Sequence, residues 1–264
     1  MRFASLGSGS EGNGLIVEAG PDHGRDRPWR VMVDCGFGLR AAEARLLRLG
    51  IEPASLDAIL VTHEHGDHLG GVFALARRHG LTVWASHGTL QAVLRDRFPN
   101  VVVRVCSGHM RFAVGPIAVM PFPVPHDARE PTQFVFDDGV HRLGLLTDTG
   151  RGTAHIIDSL SGCDGLVMEC NHDPAMLEAS DYPYPLKRRI SGDYGHLSND
   201  VAAEIVSRLD RSRLRRIVAA HLSRSNNRPE LARAALASAT GWEQARIDIA
   251  DQDAGLDWID LSRP

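Results

Sequence analysis

The chain has 264 residues, 43% hydrophobic and 23% charged, which is typical of a globular protein. No run approaches the roughly 18 apolar residues of a membrane span, and the N-terminus lacks an export signal's apolar region, so we expect a cytoplasmic protein. The net charge of −4 excludes a bulk nucleic-acid coat, so a polyanion must bind at a local patch or at metal ions. The four cysteines lack paired spacing and indicate buried thiols in a reducing compartment.

Short apolar segments alternate with glycine-rich turns in the first half of the chain. Their patterning predicts strands at Phe3–Leu6, Gly14–Val17 and Arg30–Val33, a helix at Leu39–Leu49, a strand at Ala58–Val61, a helix at Val72–Arg78, a strand at Thr82–Ala85 and a helix at Thr89–Arg97. A polar loop is expected near Pro21–Pro28, before the third strand.

The second half repeats this style. It predicts strands at Val101–Val105, Ile117–Phe122, Thr132–Phe136, Arg142–Leu146, Gly165–Met168 and Arg216–Ala219, and helices at Thr153–Leu160, Ser198–Leu209 and Pro229–Ser238. Because strands come in clusters with helices between the clusters, the pattern favours two packed sheets covered by helices over one doubly wound sheet. We therefore expect an α/β fold, a four-layer αββα sandwich, as one domain over residues 1–264. Its two pseudo-symmetric halves would divide near Ser107–Gly115.

Four candidate metal ligands lie within six residues, directly after a predicted strand: His63, His65, Asp67 and His68. On an extended segment His63 and His65 point the same way, and Gly66 permits a turn that swings the next two ligands toward a second point. One loop could therefore supply two adjacent metal ions. Imidazole with carboxylate suits zinc, and also iron or manganese. The alternative is a His-rich surface turn, for which an uncompensated ligand cluster at a strand end is a poor choice.

The pattern His63-x-His65-x-Asp67-His68 resembles the signature of the metallo-β-lactamase superfamily. That resemblance implies two divalent metal ions, zinc first with manganese or iron as alternatives, and it implies three further ligands at later strand ends. The sequence offers His126, Asp148 and His221 in that order. By the family pattern, one metal is bound by His63, His65 and His126, the other by Asp67, His68 and His221, and both by Asp148 and a bridging water or hydroxide.

Two positions distinguish branches of this superfamily. β-Lactamases of this fold typically have cysteine where this chain has Asp148, and flavodiiron proteins typically have glutamate where it has His65. The resemblance therefore disfavours antibiotic hydrolysis and oxygen reduction. Two divalent ions bring a charge of +4, and Asp67, Asp148 and a bridging hydroxide together remove three of these charges. The net charge of the site is therefore about +1, which favours an anionic substrate. The paired metals would stabilise both oxygens of a phosphoryl displacement, and Asp67 would serve as ligand and catalytic residue.

A second motif favours phosphodiesters. The segment Gly195-His196-Leu197-Ser198-Asn199-Asp200 precedes a predicted helix that Ser198 can cap, and a helix N-terminus attracts anions. His196 is thus placed to donate a proton to a leaving oxygen. The element is similar to a Gly-His-Ser/Thr element of ribonuclease Z, whose histidine is paired with a glutamate that Glu169 matches by order. The alternative is an ordinary histidine flanking a helix, with a solvated glutamate.

Over residues 1–235 the chain is most similar to the YycJ/WalJ-type branch, which is related to 5′–3′ exonucleases. The resemblance rests on glycine- and serine-rich, Asn-His-Asp and Gly-His-Leu-Ser-Asn elements. It implies substrate contacts by Ser8, Ser10, Asn13, Asn171, His172, Ser198 and Asn199. We therefore predict a metal-dependent phosphodiesterase or nuclease, acting on nucleic acid or a small phosphodiester.

Two alternatives to a phosphodiesterase or nuclease fit the same sequence. Thioester hydrolysis of the glyoxalase II type fits the same site charge, although that class usually carries a C-terminal helical domain. A non-catalytic, metal-bound regulatory module is the other alternative, which the complete ligand set disfavours. The basic run Lys187-Arg188-Arg189 either binds a nucleic-acid backbone or is a solvated face.

Overall fold

Two seven-stranded sheets form the centre of the protein in a computed structural model that describes residues 1–20, 25–93 and 100–262. The first sheet is built from β1 (Arg2–Gly7), β2 (Gly14–Ala19), β3 (Trp29–Val33), β4 (Ala58–Leu60), β5 (Thr82–Ala85), β6 (Val103–Val105) and the last strand, β14 (Leu256–Asp260). The second is built from β7 (Phe112–Val114), β8 (Ile117–Pro123), β9 (Thr132–Asp137), β10 (Arg142–Leu146), β11 (Gly165–Glu169), β12 (Arg216–Ala220) and β13 (Ile247–Ile249).

Both sheets have the same order of strand pairings. The first runs β14-β1-β2-β3-β4-β5-β6, antiparallel as far as β3 and parallel from β3 to β6. The second runs β7-β8-β9-β10-β11-β12-β13, antiparallel as far as β10 and parallel from β10 to β13. The first sheet thus takes its outer antiparallel strand from the C-terminal segment. Because neighbouring parallel strands end at the same edge, the loops after β3, β4, β10, β11 and β12 can bring their side chains together.

Helices surround the two sheets, and several of them cover the outer faces. They are α1 (Leu39–Arg48), α2 (Gly66–Leu69), α3 (Val72–His79), α4 (His87–Val93), α5 (Ala154–Leu160), α6 (Pro174–Ala179), α7 (Tyr184–Ile190), α8 (Asn199–Arg208) and α9 (Pro229–Thr240). Ser198 caps α8, as predicted, because its side chain accepts a hydrogen bond from the Val201 N–H. Within the described ranges, no helix is long and apolar enough to cross a membrane.

Three apolar clusters fill the spaces between four layers. Phe3 and Val31 meet Phe134 and Leu143 between the sheets. A second cluster joins the first sheet to α1 and α3, and a third joins the second sheet to α5, α8 and α9. Both faces of the sheets are therefore buried, which explains why the parallel strands are continuous apolar runs. The predicted four-layer αββα fold is confirmed.

The structure also corrects several predicted elements. The turn expected at Gly66 is the short helix α2, and α6, α7, β7, β13 and β14 were not predicted. The strand expected from Val101 begins at Val103. Residues 94–97 of one predicted helix and residues 21–24 of the predicted polar loop lie outside the described residues. All four cysteines are free and buried, as predicted.

Candidate metal centre

The candidate ligands lie in loops at the strand ends where the two sheets meet. The segment from His63 to His68 follows β4, His126 follows β8, Asp148 follows β10 and His221 directly follows β12. Asp148 and His221 have positive φ angles of 49° and 55°, a conformation that costs a non-glycine residue free energy. Within the described residues Asp34 is the third such residue, with φ of 58°, and it lies beside the same centre.

A first group of ligand atoms comes from His63, His65 and His126. The nearest nitrogens of these three rings lie within 4.8 Å of one another. His126 Nε2 is 3.3 Å from His65 Nδ1, and the His63 and His65 rings meet edge to face. Three imidazole nitrogens converging from two loops can hold a single divalent ion.

A second group comes from Asp67, His68 and His221. Asp67 Oδ2 lies 3.3 Å from His68 Nε2 and 3.5 Å from His221 Nε2. Asp148 joins the two groups, because its Oδ2 is 2.5 Å from His68 Nε2 and 3.9 Å from His63 Nε2. The structure therefore brings together all seven residues that the resemblance implied as ligands.

The unpaired atoms of this centre show that its residues fit divalent metal ions. His63 Nε2, His221 Nε2 and both oxygens of Asp148 are buried, and none makes a hydrogen bond of good geometry with the described residues. Leaving such atoms unsatisfied costs free energy, whereas ligand atoms that converge on a cation are fully used. The chain thus carries a histidine and aspartate cluster suited to divalent metals.

Hydrogen bonds behind the rings fix their orientation. Asp34 Oδ2 lies 2.8 Å from His68 Nδ1, and the Thr62 hydroxyl donates to the same oxygen at 2.8 Å. His126 Nδ1 donates to the carbonyl of Gly195 at 3.0 Å. These contacts direct the opposite ring nitrogen of each histidine to the cluster, as supporting carboxylates and carbonyls do in metalloproteins.

A glycine lets the ligand loop pack closely against the rest of the site. A Cβ atom on Gly36 would lie 1.8 Å from the carbonyl oxygen of Asp67, so no side chain fits there. Cys35 N–H also donates to the carbonyl of His68 at 2.7 Å. The loop after β3 therefore fixes the position of α2.

His196 lies beside the ligand cluster and is held by two carboxylates. Its Nδ1 lies 2.8 Å from Glu169 Oε1 and 3.0 Å from Asp148 Oδ1. Glu169 is fully buried at the end of β11, and its other oxygen accepts from the Thr149 N–H at 2.9 Å. Glu169 is thus not a solvated residue. With Nδ1 engaged, Nε2 is the ring nitrogen that remains for a substrate.

Neighbouring carboxylates raise the pKa of three histidines in the cluster. Burial opposes protonation of His68, yet the carboxylates of Asp148 and Asp34 raise its pKa well above the ordinary value. Burial likewise opposes protonation of His221 and His196, but neighbouring carboxylates raise their pKa to about 9 and about 10. Without a cation these histidines hold protons that balance the carboxylates. Metal binding must therefore release protons.

In the first group, burial lowers the pKa of two histidines because no neighbouring carboxylate outweighs it. Desolvation lowers the pKa of His63 well below the ordinary value, and it lowers the pKa of His126 as well. Both rings are therefore neutral near pH 7, the form that binds metals. Asp67 is different: burial opposes its charge, but the rings of His221 and His68 hold its pKa far below the usual range.

An open cavity of about 420 Å³ lies directly over the cluster. Its walls include Asp67, Asp148, His196 and His221 from the centre and residues of α7. Ser10 and Asn171, both predicted to contact substrate, line this cavity. Asn171 also donates to the carbonyl of His221 at 3.0 Å, so it positions that loop.

The other predicted substrate contacts lie behind the cavity rather than in it. Ser8 accepts from the His221 N–H, and Asn13 donates to the Asp67 carboxylate. Asn199 is buried and exchanges two hydrogen bonds with Asn227. His172 and Ser198 are also buried and form a β-bridge with each other. The position of all five residues suits support of the loops, and none of them lines the cavity.

Sequence reasoning missed two carboxylates at the centre. Asp34 supports His68, as described above, and it gave no signal except its place after a strand. Asp127 Oδ1 lies 3.3 Å from His126 Nε2, and its other oxygen accepts from Arg189 Nε at 2.7 Å. The adjacency of Asp127 to His126 repeats the Asp-His pairing of the first motif and could have indicated it.

The family model described as the beta-lactamase superfamily domain matches residues 29–222. The chain belongs to the beta-lactamase superfamily. The family predicted from the histidine motif is therefore confirmed, and the matched range contains all seven candidate ligands.

Two relatives of known activity are similar to this chain over most of its length. Exodeoxyribonuclease WalJ of Streptococcus pneumoniae is 32% identical over 262 residues, covering 98% of this chain and 92% of the relative. Exodeoxyribonuclease YycJ of Bacillus anthracis is 37% identical over 235 residues, covering 88% and 86%. The metallo-beta-lactamase fold protein YhfI of Bacillus subtilis superimposes with a TM-score of 0.74 at 17% identity, covering 98% of each chain, and supports the fold alone.

Proposed function

We propose that this protein is a metal-dependent nuclease that cleaves phosphodiester bonds, with the 5′–3′ exonuclease-like action expected from its sequence. One observation carries the proposal: two groups of ligands share Asp148 beneath an open cavity, and His196 stands next to them. The relatives that match nearly the whole chain are exodeoxyribonucleases, which supports nucleic acid as the substrate.

The first group (His63, His65 and His126) would hold one divalent ion, the second group (Asp67, His68 and His221) would hold another, and Asp148 would contact both. The ions, when bound, supply an activated water and offset negative charge on the phosphate. A set rich in imidazole suits zinc, and manganese or iron remain alternatives that metal analysis must distinguish.

His196 is the proposed proton donor. Glu169 holds its Nδ1, and Asp148 Oδ1 lies 3.0 Å from the same nitrogen, so the ring is oriented with Nε2 available to the leaving oxygen. In the metal-free protein these carboxylates raise its pKa to about 10, against the effect of burial, and Glu169, which is not among the proposed metal ligands, favours the protonated ring with the ions bound as well. Such a group contributes about 10²–10⁴-fold to a rate when the leaving group needs a proton.

Thioester hydrolysis is the competing activity. After His221 the chain forms α9, β13 and β14, which pack on and complete the two sheets, and these elements do not form a separate helical domain within the described residues. We also propose a cytoplasmic location, for which the four free, buried cysteines are suited.

A substrate panel tests the proposed function. Metal-reconstituted protein should be given 5′-phosphorylated single- and double-stranded DNA, RNA, bis-p-nitrophenyl phosphate, cyclic nucleotides and S-lactoylglutathione, with Asp148→Ala as the inactive control. We expect DNA cleavage that Asp148→Ala abolishes. Turnover of S-lactoylglutathione without phosphodiester cleavage would replace the proposal with the thioester activity.

A further inference from the structure

Apolar side chains form one part of the wall of the cavity over the candidate metal centre. Leu186 and Ile190 of α7 line the cavity, and so does Tyr182, which precedes the helix. Because Leu186 and Ile190 are four residues apart on one helix, they lie on the same face. We call these three residues the apolar wall.

The folded chain does not use the apolar wall as part of its core. All three side chains are half-buried, and helix α7 contains no buried residue. The three apolar clusters that fill the spaces between the layers contain none of these described side chains. Apolar surface that faces water inside a cavity is costly, and a ligand that covers it recovers free energy. The apolar wall therefore favours a ligand with an apolar part.

Contacts with the centre fix the apolar wall beside the proposed proton donor. The His196 N–H donates to the carbonyl of Ile190 at 2.8 Å. A Cβ on Gly195 would lie 2.1 Å from the carbonyl oxygen of Arg189, so only glycine lets the chain turn back this tightly between α7 and His196. Arg189 itself donates to the Asp127 carboxylate, so α7 is attached beside the first group of ligands.

Polar side chains line a different part of the same cavity. They are Ser10, Asn171 and Ser223, which come from the loops after β1, β11 and β12. Asn171 donates to the carbonyl of His221, so this part lies beside the second group of ligands. The cavity therefore has an apolar part, a polar part and the ligand cluster beneath it. A nucleotide divides in the same way, into a base with flat faces that pack on apolar surface, a sugar rich in oxygen and a phosphate.

The size and charge of the cavity also suit one nucleotide. At about 420 Å³ it lies near the lower end of the roughly 300–1,000 Å³ that pockets for small molecules span. Arg189 lines the cavity on the side of the apolar wall, but its charge is already paired with Asp127. The phosphate therefore belongs at the metal centre, and the base is the part of a nucleotide that the apolar wall suits.

We propose that the apolar wall binds the base of the nucleotide whose phosphate lies at the metal centre. This inference rests on the proposed function for the position of the phosphate, and it adds the residues that recognise a nucleotide. The wall offers carbon surface and a single hydroxyl group, that of Tyr182, so it contacts a base through its face and tolerates any base. The cavity thus discriminates a nucleotide from a phosphate ester that lacks a base.

Binding of two monophosphates to metal-loaded protein tests the inference. Thymidine 5′-monophosphate carries a base, and 2-deoxyribose 5-phosphate presents the same phosphate and sugar without one. We expect the wild-type protein to bind the nucleotide at least about tenfold more tightly in isothermal titration calorimetry, because the base covers apolar surface.

Substitutions in the apolar wall should weaken binding of the nucleotide alone. Leu186→Ala and Ile190→Ala should each weaken it about fivefold, and Tyr182→Ala at least as much, because each removes carbon surface that the base contacts. All three should bind 2-deoxyribose 5-phosphate like the wild type, which also shows that they are folded and metal-loaded. Tyr182→Phe keeps the ring and should bind both compounds like the wild type. Leu231 of α9 does not line the cavity, so Leu231→Ala is the matched control and should change neither affinity.

Equal affinity of the wild type for the two monophosphates would overturn the inference, and so would alanine variants that keep the full preference for the nucleotide. Neither result depends on catalysis, so each is separate from a failure of the proposed function. A wild-type protein that prefers the nucleotide but cleaves no DNA would instead refute the nuclease function and leave the nucleotide site standing.

Discussion

Asp127 Oδ2 accepts a hydrogen bond from Arg189 Nε at 2.7 Å, and this contact joins α7 to the histidine centre. The other oxygen of Asp127 lies 3.3 Å from His126 Nε2. Although partial burial opposes its charge, the bond from Arg189 lowers the pKa of Asp127, so the carboxylate is ionised near pH 7. Arg189, which lines the cavity, therefore neutralises a carboxylate beside the histidine centre.

Removing Arg189 should weaken substrate binding more than metal binding. Arg189→Ala is expected to raise the KM for DNA roughly tenfold, because a charged hydrogen bond is lost and the Asp127 carboxylate is left unpaired. The double variant Asp127→Ala/Arg189→Ala should recover part of this loss, since the unpaired anion is then gone. Steady-state kinetics on one oligonucleotide measures both effects. A double variant worse than Arg189→Ala would contradict the pairing, and Arg208→Ala serves as the control.

Metal stoichiometry tests the assignment of the ligands. His126→Ala alters only the first group and Asp67→Ala only the second, so each reconstituted variant should retain about one metal per chain against two in the wild type. Asp148→Ala alters both groups and should retain less than either. Elemental analysis after dialysis gives the counts.

Glu64 supplies a matched control within the same motif. It lies between two candidate ligands, but its carboxylate accepts from the Arg129 N–H at 2.8 Å and not from the centre. Glu64→Gln should therefore retain both metals. Two metals retained by Asp148→Ala would refute a shared carboxylate ligand.

The residues at strand ends were predictable from the sequence, whereas much of the wall of the cavity was not. Strands such as Arg142–Leu146 and Arg216–Ala220 are buried on both faces, and their apolar runs locate Asp148 and His221. Helix α7 has no buried residue and therefore no apolar periodicity to reveal it. Strand β14 is only partly buried, so its pattern is weak.

Contacts between residues far apart in sequence could not be predicted either. The bond of Asp34 to His68 and that of Arg189 to Asp127 join residues far apart in sequence, and no local spacing encodes them. Conversely, Asn199 stands in a motif that implied substrate contact, but the fold buries it against Asn227. A motif can thus identify residues that belong to the site without showing whether they contact the substrate or support the loops around it.

The stability of metal-free protein should depend on pH in the alkaline range. Histidine titrates near 6.5 when unfolded, whereas His221 has a pKa of about 9 in the folded chain, where carboxylates outweigh the effect of burial. A raised histidine pKa contributes stability that is complete below about pH 6.5 and is lost as the pH rises through about 9. The Tm of chelator-treated protein should therefore fall from about pH 7 to about pH 10.

Metal-loaded protein provides the comparison for this titration. A cation replaces the protons on His68 and His221, so the Tm of loaded protein should change less over the same range, and zinc affinity should rise with pH. Differential scanning fluorimetry with chelator or with zinc measures both curves. A metal-free Tm that rises or stays level between these pH values would contradict the charge state described for the centre.

His196 should act as the proton donor to the leaving oxygen and not as a structural residue. An alkoxide leaving from DNA needs a proton, whereas p-nitrophenolate needs little. His196→Ala should therefore lose about 10²–10⁴-fold in kcat on DNA, lose far less on bis-p-nitrophenyl phosphate, and retain both metals. His155, an exposed histidine away from the cavity, gives the control His155→Ala, which should keep both activities.

Glu169 should show a milder form of the same selectivity. Its Oε1 lies 2.8 Å from His196 Nδ1 and its Oε2 accepts from Thr149, so Glu169→Gln disturbs the orientation and charge of the ring without removing it. Glu169→Gln should therefore lower kcat on DNA less than His196→Ala does, and it should again spare bis-p-nitrophenyl phosphate. A purely structural role would lower Tm and reduce both substrates together. Equal losses on the two substrates, or a missing metal in His196→Ala, would rule out proton donation, because neither result depends on the leaving group.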